Sequence, residues 1–169
     1  MGFFEFRVPV KCPVATVFAT YTDTDAWKRC TEISEVEWWG KPWEEGSRIR
    51  IKGYGSTRET IDQVLLHFEP PRSLAYISHF FGMTLETRLT FHAVSDYETE
   101  VQVRGEFVGI ASRAFGFALG PAIERATRLT TEGLSKECGR IAASQPPPQP
   151  RPSPPAESPS DGSSADAKP

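Results

Sequence analysis

Six short segments between residues 33 and 109 alternate apolar and polar side chains, and this alternation constrains the fold more than any other feature of the chain. Arg48-Ile49-Arg50-Ile51-Lys52 is the clearest case. A period of two is typical of strands that bury one face. The connections are short, which favours an antiparallel meander because parallel neighbours need long crossovers. The predicted strands are Ile33–Trp39, Ser47–Gly53, Arg58–Phe68, Ser73–Phe80, Thr84–Ala93 and Thr99–Gly109.

Three further elements are predicted before the meander. Residues 4–8 alternate in the same way and indicate a first strand. A short amphipathic helix follows, with Pro13 suited to its first position. Thr22 or Asp23 can cap a second short helix that carries Trp27. The apolar residues of the first helix recur at i, i+3, i+4 and i+7 and are Val14, Val17, Phe18 and Tyr21.

The pattern becomes helical after Gly109 and stays helical to about Ala143. Gly120-Pro121 interrupts it, so either the helix kinks there or a short helical piece ends and the main helix begins. We expect one stripe of this helix to face the sheet. Its small residues either let the sheet approach closely or leave empty space. The stripe comprises Phe115, Leu119, Ala122, Ala126, Leu129 and Gly133, with Ile123 and Ile141 beside it.

The order of elements, β–α–α–β×6–α, predicts an α+β fold in which a curved antiparallel sheet wraps around a long C-terminal helix. We assign this domain to residues 1–143. Residues 144–169 hold nine of the 15 prolines and no aromatic or large aliphatic side chain, so we expect a disordered Pro/Ser-rich tail. Pro152-Ser153-Pro154-Pro155 matches the P-x-x-P pattern of SH3 ligands, although an unbound tail is favoured over a protein partner.

Composition argues against several classes of protein. A formal net charge of -3 argues against a nucleic-acid-binding protein. No apolar run approaches the ~18 residues of a membrane span, and the start lacks the apolar run of a signal peptide. We therefore expect no stable membrane insertion and a cytoplasmic location. Cys12, Cys30 and Cys138 are odd in number and widely spaced, which favours reduced, buried thiols over a disulfide framework or a zinc site.

The three histidines, His67, His79 and His92, lie on three different predicted strands and lack metal-binding spacing, so neither a metal nor a cofactor is predicted. His79 precedes Phe80-Phe81-Gly82-Met83, a strand end that could form a pocket mouth. It is therefore a candidate acid, base or hydrogen-bond donor, and otherwise a strand residue on the solvated face. Ser78 and His79 are adjacent on a strand, so their side chains point to opposite faces and form no nucleophile–base pair.

Two strand registers remain open at residues 48–52. If Ile49 and Ile51 face the interior, the basic residues face water, and this register is favoured. The reverse register would line a pocket with cations and suit an acidic ligand. The consecutive Trp38 and Trp39 must likewise place one ring on each face of a strand, so one of them needs a cover from loops or a partner.

A set of short motifs follows in a characteristic order over residues 3–142. They are Val8-Pro9-Val10, Pro13-Val14-x-x-Val17-Phe18-x-x-Tyr21-Thr22-Asp23, Trp27, Trp43-x-x-Gly46-Ser47, Pro70-Pro71-Arg72-Ser73-Leu74-Ala75-Tyr76 and Gly105-Glu106-Phe107. In this order the chain resembles a polyketide cyclase/dehydrase-type member of the START-like superfamily, also called SRPBCC or Bet v 1-like. The resemblance implies the helix-grip fold with a deep apolar cavity between the sheet and the last helix. Members bind lipids, hormones, quinones or polyketides, and some catalyse aromatic ring closure or dehydration.

The candidate binding site consists of the residues that could line such a cavity. Small-molecule pockets are mostly apolar with a few placed polar groups, and Tyr54 and Tyr76 could supply those groups. No catalytic residue is predicted, because the resemblance carries no shared catalytic motif onto this chain. The predicted ligand-binding residues are Trp38, Ile49, Ile51, Tyr54, Tyr76, His79, Leu89, Val103, Phe107, Phe115 and Leu119.

Three functions are consistent with these observations. The favoured hypothesis is a carrier or sequestering protein for a small hydrophobic or amphipathic molecule, such as a lipid, a quinone or a polyketide-like compound. The second is a polyketide cyclase, aromatase or dehydratase that uses polar pocket residues as acid and base. The third is an interaction module with a vestigial pocket.

Overall fold

The computed structural model describes residues 2–53, 60–80 and 82–144, and within the last helix the side chains at positions 111 and 113–115 lie outside this description. The elements are β1 (Phe3–Val10), α1 (Val14–Tyr21), α2 (Thr24–Cys30), β2 (Glu35–Trp39), β3 (Arg48–Lys52), β4 (Thr60–Glu69), β5 (Ser73–Phe80), β6 (Met83–Ser95), β7 (Glu98–Phe107) and α3 (Ile110–Ser144). The described strands form one antiparallel sheet in the order β1-β7-β6-β5-β4-β3-β2.

This architecture confirms the predicted helix-grip arrangement. The order of elements is also the predicted one, β–α–α–β×6–α. Successive strands from β2 to β7 pair with their neighbours, and β1 closes the other edge beside β7. The predicted β2 starts two residues too early. Ile33 is buried, but its backbone N–H donates to Thr31 Oγ1 at 3.2 Å instead of joining the ladder. The tail was predicted to begin at residue 144, but Ser144 is the last residue of α3, and residues 145–169 lie outside the described residues.

Ile49 and Ile51 of β3 face inward, with 4% and 2% of their surfaces exposed, while Arg48, Arg50 and Lys52 alternate with them on the outer face. This is the favoured one of the two registers left open by the sequence. Trp38 points inward toward Ile49, and Trp39 points outward, where the guanidinium of Arg50 covers its ring at 4.3 Å from the centroid.

The buried apolar residues divide into two clusters. The larger one joins β1, β5, β6 and β7 to α1 and α3. The smaller one consists of Ile33, Ile49 and Ile51, with Val36 and Trp38 packed against it at the β2–β3 end of the sheet. Trp27 of α2 packs against both clusters. The two clusters therefore meet at one indole ring and leave space between them.

Helix α3 runs without a break through Gly120-Pro121, so the interruption in the pattern neither ends the helix nor starts a new one. Its sheet-facing stripe differs from the predicted one. Leu119 and Leu129 are 41% and 60% exposed, and Ala122 is exposed as well. The buried face lies one position further along and consists of Gly116, Thr127, Thr131, Leu134 and Cys138. The prediction failed because it sought apolar residues, whereas the inner face of this helix is largely small or polar.

Two glycines set how closely α3 approaches its neighbours. A Cβ at Gly116 would lie 2.6 Å from the ring of Phe107, so the absence of a side chain there admits this buried ring. A Cβ at Gly133 would lie 2.5 Å from the carbonyl oxygen of Cys30 at the end of α2. The contact at Gly133 is with backbone, which cannot rotate away. This glycine therefore fixes the distance between α2 and α3.

The substitution Gly133→Ala should lower the free energy of unfolding by roughly 1 kcal/mol or more. Overpacking destabilises a fold by ~1–3 kcal/mol, and the higher helix propensity of alanine offsets at most ~1 kcal/mol of this loss. The matched control is Gly139→Ala on the same helix, where a Cβ would meet nothing within 4 Å. Gly139→Ala should stabilise the fold by up to ~1 kcal/mol. Urea unfolding of both variants checks this, and stabilisation by both would contradict the close contact.

A second link between α2 and α3 is ionic. Glu137 is buried, and its carboxylate accepts two hydrogen bonds of 2.8 Å from Arg140. The Nε of Arg29, at the end of α2, lies 3.5 Å from Glu137 Oε1. The hydrogen bonds from Arg140, aided by the charges of Arg140 and Arg29, lower the pKa of Glu137 from 4.5 to about 2.

This lowered pKa predicts a pH dependence of stability. Because the folded-state pKa lies below the unfolded value, the stabilisation is complete above pH 4.5 and is lost as the pH falls towards about 2. The substitution Glu137→Gln should therefore flatten the decline of unfolding free energy in that range, measured by urea titration at several pH values. Glu132→Gln is the control, since Glu132 forms no ion pair with another described residue. An equally steep decline in Glu137→Gln and Glu132→Gln would contradict the assignment.

Candidate ligand-binding cavity

A cavity lies between the inner face of the sheet and helix α3, where the two apolar clusters fail to merge. Its sheet side is formed by inward-facing residues of β3 to β7, and its other side by α1, α2, the segment before β2 and α3. The sheet side consists of Ile51, Gln63, Leu74, Tyr76, Leu89 and Val103. The opposite side consists of Tyr21, Trp27, Ile33, Thr127, Thr130, Thr131 and Leu134.

The free volume of the cavity is about 60 Å³. A cavity of about 150 Å³ holds benzene, and sites for drug-sized ligands measure about 300–1,000 Å³. The present volume suits about two water molecules, because one water occupies ~30 Å³ of the liquid. A larger ligand must therefore displace side chains of the wall.

The polar groups of the α3 side are tied to one another. The hydroxyl of Tyr21 lies 2.9 Å from the carbonyl oxygen of Thr131 and 3.0 Å from Ser135 Oγ, which itself donates to that carbonyl at 2.8 Å. Thr131 Oγ1 donates to the carbonyl of Thr127 at 2.8 Å. Burial raises the pKa of Tyr21 well above its usual value. The tyrosine therefore stays protonated at neutral pH.

The sheet side carries one amide. Gln63 of β4 is 7% exposed, and its Nε2 donates to Ser78 Oγ of β5 at 3.0 Å. Ser78 is 3% exposed, and the neighbouring His79 lies on the other face of the sheet. The predicted separation of Ser78 and His79 to opposite faces is confirmed, and the serine has an amide partner in place of a base.

Trp27 forms part of the cavity wall and packs against a row of further tryptophan rings. Trp27 lines the cavity and donates its Nε1–H to the carbonyl of Tyr21 at 2.9 Å. Its ring contacts Trp43 with centroids 5.9 Å apart, and Trp43 contacts Trp38 at 4.9 Å. Trp43 has a φ of 62°, a left-handed conformation that a non-glycine residue rarely adopts. The loop before β3 is thus bent to insert this ring between the other two.

A surface groove of about 640 Å³ adjoins the cavity between the end of α2 and α3. Thr130 belongs to both, so it marks the boundary between cavity and groove. The groove is lined by Arg29, Cys30, Thr31, Glu32, Arg125, Ala126, Leu129 and Thr130. It includes the end of α2, whose distance from α3 is set at Gly133. Widening this contact would join the two spaces.

The described cavity wall contains no carboxylate, lysine, arginine, histidine or cysteine. Tyr21 and Tyr76 are its titratable side chains. The arginines of the neighbourhood lie outside, in the groove. The cavity is therefore electrically neutral and provides no group that exchanges a proton readily near pH 7.

The three cysteines are free thiols, as expected from their number and spacing. Cys12 and Cys138 are buried, and burial raises the pKa of Cys138 to about 11. Cys30 is half-buried at the end of α2, with a pKa that burial also raises. Among the described residues no group of three or more His, Cys, Asp or Glu side chains is arranged to hold a metal ion.

The structure brings part of the predicted binding set together. Ile51, Tyr76, Leu89 and Val103 line the cavity. Their positions follow from strand alternation, which assigns every second residue to the inner face. Ile49 and Trp38 lie in the adjoining small cluster rather than in the cavity wall.

Other members of the predicted set lie elsewhere. Phe107 is 1% exposed and fills the core against Gly116, because the missing side chain of that glycine leaves space for the ring. Leu119 points away from the sheet, as the phase of α3 requires. Phe115 belongs to α3, but its side chain lies outside the description, and Tyr54 lies outside the described residues.

His79 lies on the outer face of the sheet, so it does not line the cavity. Its Nδ1 is 3.3 Å from Thr84 Oγ1, and its cross-strand neighbour is Asp62. Arg50 binds Asp62 through two hydrogen bonds of 2.7 and 3.2 Å. The position of His79 follows from the alternation of side chains along a strand. Because Ser78 faces inward on β5, the next residue, His79, must face outward.

Sequence reasoning missed the half of the wall that the helices contribute. The missed lining residues on the sheet are Gln63 and Leu74, and those on the opposite side are Tyr21, Trp27, Ile33, Thr127, Thr130, Thr131 and Leu134. A signal for α3 was present: Thr127, Thr131, Leu134 and Cys138 recur at i, i+4, i+7 and i+11. Because threonine counts as a polar residue, a search for an apolar stripe does not detect this face of α3.

Residues 1–139 match the family described as "Polyketide cyclase / dehydrase and lipid transport". The match covers most of the chain, so the protein belongs to this family, and the resemblance read from its motifs is confirmed. No curated protein sequence matches the chain.

Solved structures show the same fold at low sequence identity. The Zhui aromatase/cyclase from Streptomyces sp. R1128 superposes with a TM-score of 0.69 at 15% identity, covering 83% of this chain and 94% of that one. A solution structure from Thermobifida fusca gives a TM-score of 0.68 at 20% identity, covering 83% and 95%. A START superfamily protein from Mycobacterium smegmatis gives 0.65 at 10% identity, covering 82% and 98%. These likenesses establish the helix-grip fold alone.

Among the described residues, none of the helices is both long enough and apolar enough to cross a membrane. The Pro-rich segment with its P-x-x-P pattern lies outside the described residues, and a protein partner for it stays a prediction.

The substitution Tyr21→Phe tests the tied polar groups of the cavity wall. It removes the hydroxyl that bonds Thr131 and Ser135, so it should lower the free energy of unfolding by about 1 kcal/mol. Tyr97→Phe is the matched control, because Tyr97 is 61% exposed at the β6–β7 turn. Thermal or urea unfolding measures both. Equal stability of both variants and the unaltered protein would contradict a structural role for the Tyr21 hydroxyl.

Proposed function

We propose that the protein binds a small, largely apolar molecule in the cavity between the sheet and α3, and acts as its carrier or sequestering protein. The observation that carries the proposal is the composition of the wall: mainly apolar and aromatic side chains with a few placed hydroxyl and amide groups. This is the usual composition of a site that binds a small organic molecule.

The split core supports the same proposal. A packed core normally has few voids larger than a water molecule, because unfilled space forfeits dispersion energy. Here the sheet keeps two apolar clusters apart, and α3 presents threonines where leucines would fill the space. A ligand that occupies this position would restore the missing contacts.

Access would run through the groove beside Thr130. The cavity of about 60 Å³ is too small for a drug-sized ligand, whereas the groove beside it measures about 640 Å³. Binding would therefore involve movement of α2 against α3 or rotation of the wall side chains, changes that are common on complex formation.

A cyclase is the second candidate, because the family description names polyketide cyclases and dehydrases beside lipid transport. Ring closure or dehydration needs groups that accept and release protons near the working pH. The described cavity wall offers Tyr21 and Tyr76 for this purpose, and the pKa of Tyr21 is raised rather than lowered. The neutral wall therefore supports binding more strongly than acid–base catalysis. Conversion of a polyketide-like substrate that Tyr21→Phe abolishes would favour the cyclase.

Native mass spectrometry of the full-length chain, followed by solvent extraction, is the direct test of binding. An adduct of a few hundred daltons that disappears on denaturation would support the carrier and identify the ligand class. Adding the extracted compound back at ~100 times its Kd should stabilise the fold by about 2.7 kcal/mol. An apo mass with no thermal shift across lipids, quinones and aromatic polyketides would overturn it and favour an interaction module with a vestigial pocket.

A variant pair localises the binding. Leu134 of α3 lines the cavity, so Leu134→Phe should fill it and lower the affinity of the extracted compound at least tenfold, measured by isothermal titration. Leu66→Phe makes the same change at a residue that is 42% exposed beside the β4 bulge, and should leave the affinity unaltered. Equal affinities of the two variants would place the binding outside this cavity.

A further inference from the structure

We propose that the cavity selects neutral ligands that donate a hydrogen bond, such as phenols and alcohols, over ligands that only accept one and over carboxylates. The inference rests on the proposed function, because it names the ligand class of the same cavity. The selecting element is the pair of hydroxyl oxygens on Tyr21 and Thr131, called here the acceptor wall.

Thr131 has already used its one donor hydrogen. Its Oγ1 donates to the carbonyl of Thr127, one turn earlier in α3, at 2.8 Å. Thr127 Oγ1 in turn donates to the carbonyl of Ile123 at 2.9 Å. A hydroxyl has one donor hydrogen and two acceptor lone pairs. Thr131 lines the cavity, and its oxygen can therefore take part in a further hydrogen bond only as an acceptor.

The hydroxyl proton of Tyr21 is committed in the same way. The Tyr21 hydroxyl donates to the Thr131 carbonyl at 2.9 Å, and its oxygen lies 3.0 Å from Ser135 Oγ, so both partners are within the protein. Burial raises the pKa of this tyrosine, so the proton stays on its oxygen. Trp27 offers no donor either, since its Nε1–H is bonded to the Tyr21 carbonyl at 2.9 Å.

Three other side chains of the described cavity wall carry donor hydrogens, and they lie outside the acceptor wall: Gln63 and Tyr76 on the sheet side, and Thr130 on α3. Gln63 uses one amide hydrogen on Ser78 and keeps the second, on the sheet side. Thr130 forms no hydrogen bond with another described residue and stands at the boundary with the groove. None of these three side chains belongs to the acceptor wall, so a ligand carbonyl placed against Tyr21 and Thr131 would meet lone pairs.

A carboxylate is disfavoured for a separate reason. The described cavity wall contains no cation, and the nearest arginines line the groove outside. Arg29 is already paired with Asp23 at 3.2 Å and with Glu137 at 3.5 Å. Moving an ionised carboxylate into an apolar cavity without a counter-charge costs far more than moving a neutral hydroxyl. The ligand class that fits is an apolar body with a hydroxyl or phenol at its inner end.

The test uses three probes with one alkyl chain: 4-n-butylphenol, 1-n-butyl-4-fluorobenzene and 4-n-butylbenzoate. The fluoro compound is smaller and more apolar than the phenol but lacks the donor, so weaker binding of it cannot result from size or hydrophobicity. Isothermal titration of the full-length chain should show the phenol binding roughly threefold to tenfold tighter than the fluoro compound. The benzoate should bind more weakly than both.

Thr131→Val removes one of the two acceptor oxygens while keeping the branched shape, and should reduce the preference for the phenol without weakening binding of the fluoro compound. Thr20→Val is the matched control. Thr20 is 3% exposed and bonds the carbonyl of Thr16 at 2.9 Å in the same back-bonded geometry, but it does not line the cavity. The control should keep the preference of the unaltered protein.

The outcomes separate the two proposals. If the phenol and the fluoro compound bind with equal affinity, and Leu134→Phe weakens both, the cavity binds ligands but the acceptor wall does not select them. A preference for the phenol that is undiminished in Thr131→Val would likewise overturn the inference. If none of the probes binds, or if binding is indifferent to Leu134→Phe, the proposed function fails and the inference fails with it.

Discussion

The width of the sheet is the constraint on which the rest of this structure depends. Seven strands about 4.8 Å apart span roughly 29 Å across their hydrogen-bonding direction, whereas a helix with its side chains is about 10–12 Å wide. A single helix, α3, cannot cover the whole inner face even when the sheet curves around it. The apolar residues therefore form two clusters, one under α3 and α1 and one at the β2–β3 end, and the cavity lies between them.

The sheet could be predicted from the sequence because each strand satisfies a local rule. With a period of two, the burial of Ile49 and Ile51 determines the direction of every neighbour along β3. The same alternation explains why Ile51, Tyr76, Leu89 and Val103, which were predicted from the sequence, lie on the inner face. It also excludes His79 from the cavity once Ser78 faces inward, an exclusion that the sequence pattern alone left open.

The helix was the part that sequence reasoning misplaced. A stripe search assumes that a helix buries its apolar residues, and α3 breaks this assumption because its inner face forms a cavity wall rather than a packed core. Thr127 and Thr131 donate their hydroxyl hydrogens to backbone carbonyls one helical turn earlier. Because these hydrogens are satisfied within the helix, the threonines can face an apolar space with little loss of stability. Gly116 and Gly133 are likewise explained by non-local contacts, with Phe107 and with Cys30, which no local pattern encodes.

The chain of indole rings beside the cavity has an optical consequence. The protein has four tryptophans, and among them Trp27 alone lines the cavity, while its ring touches Trp43 and, through it, Trp38. Light absorbed anywhere in this trio can pass to the ring beside the cavity, and Trp27 senses the polarity of whatever lies there. The fold thus carries its own fluorescent reporter, and occupation of the cavity should be visible in the native emission spectrum without any added label.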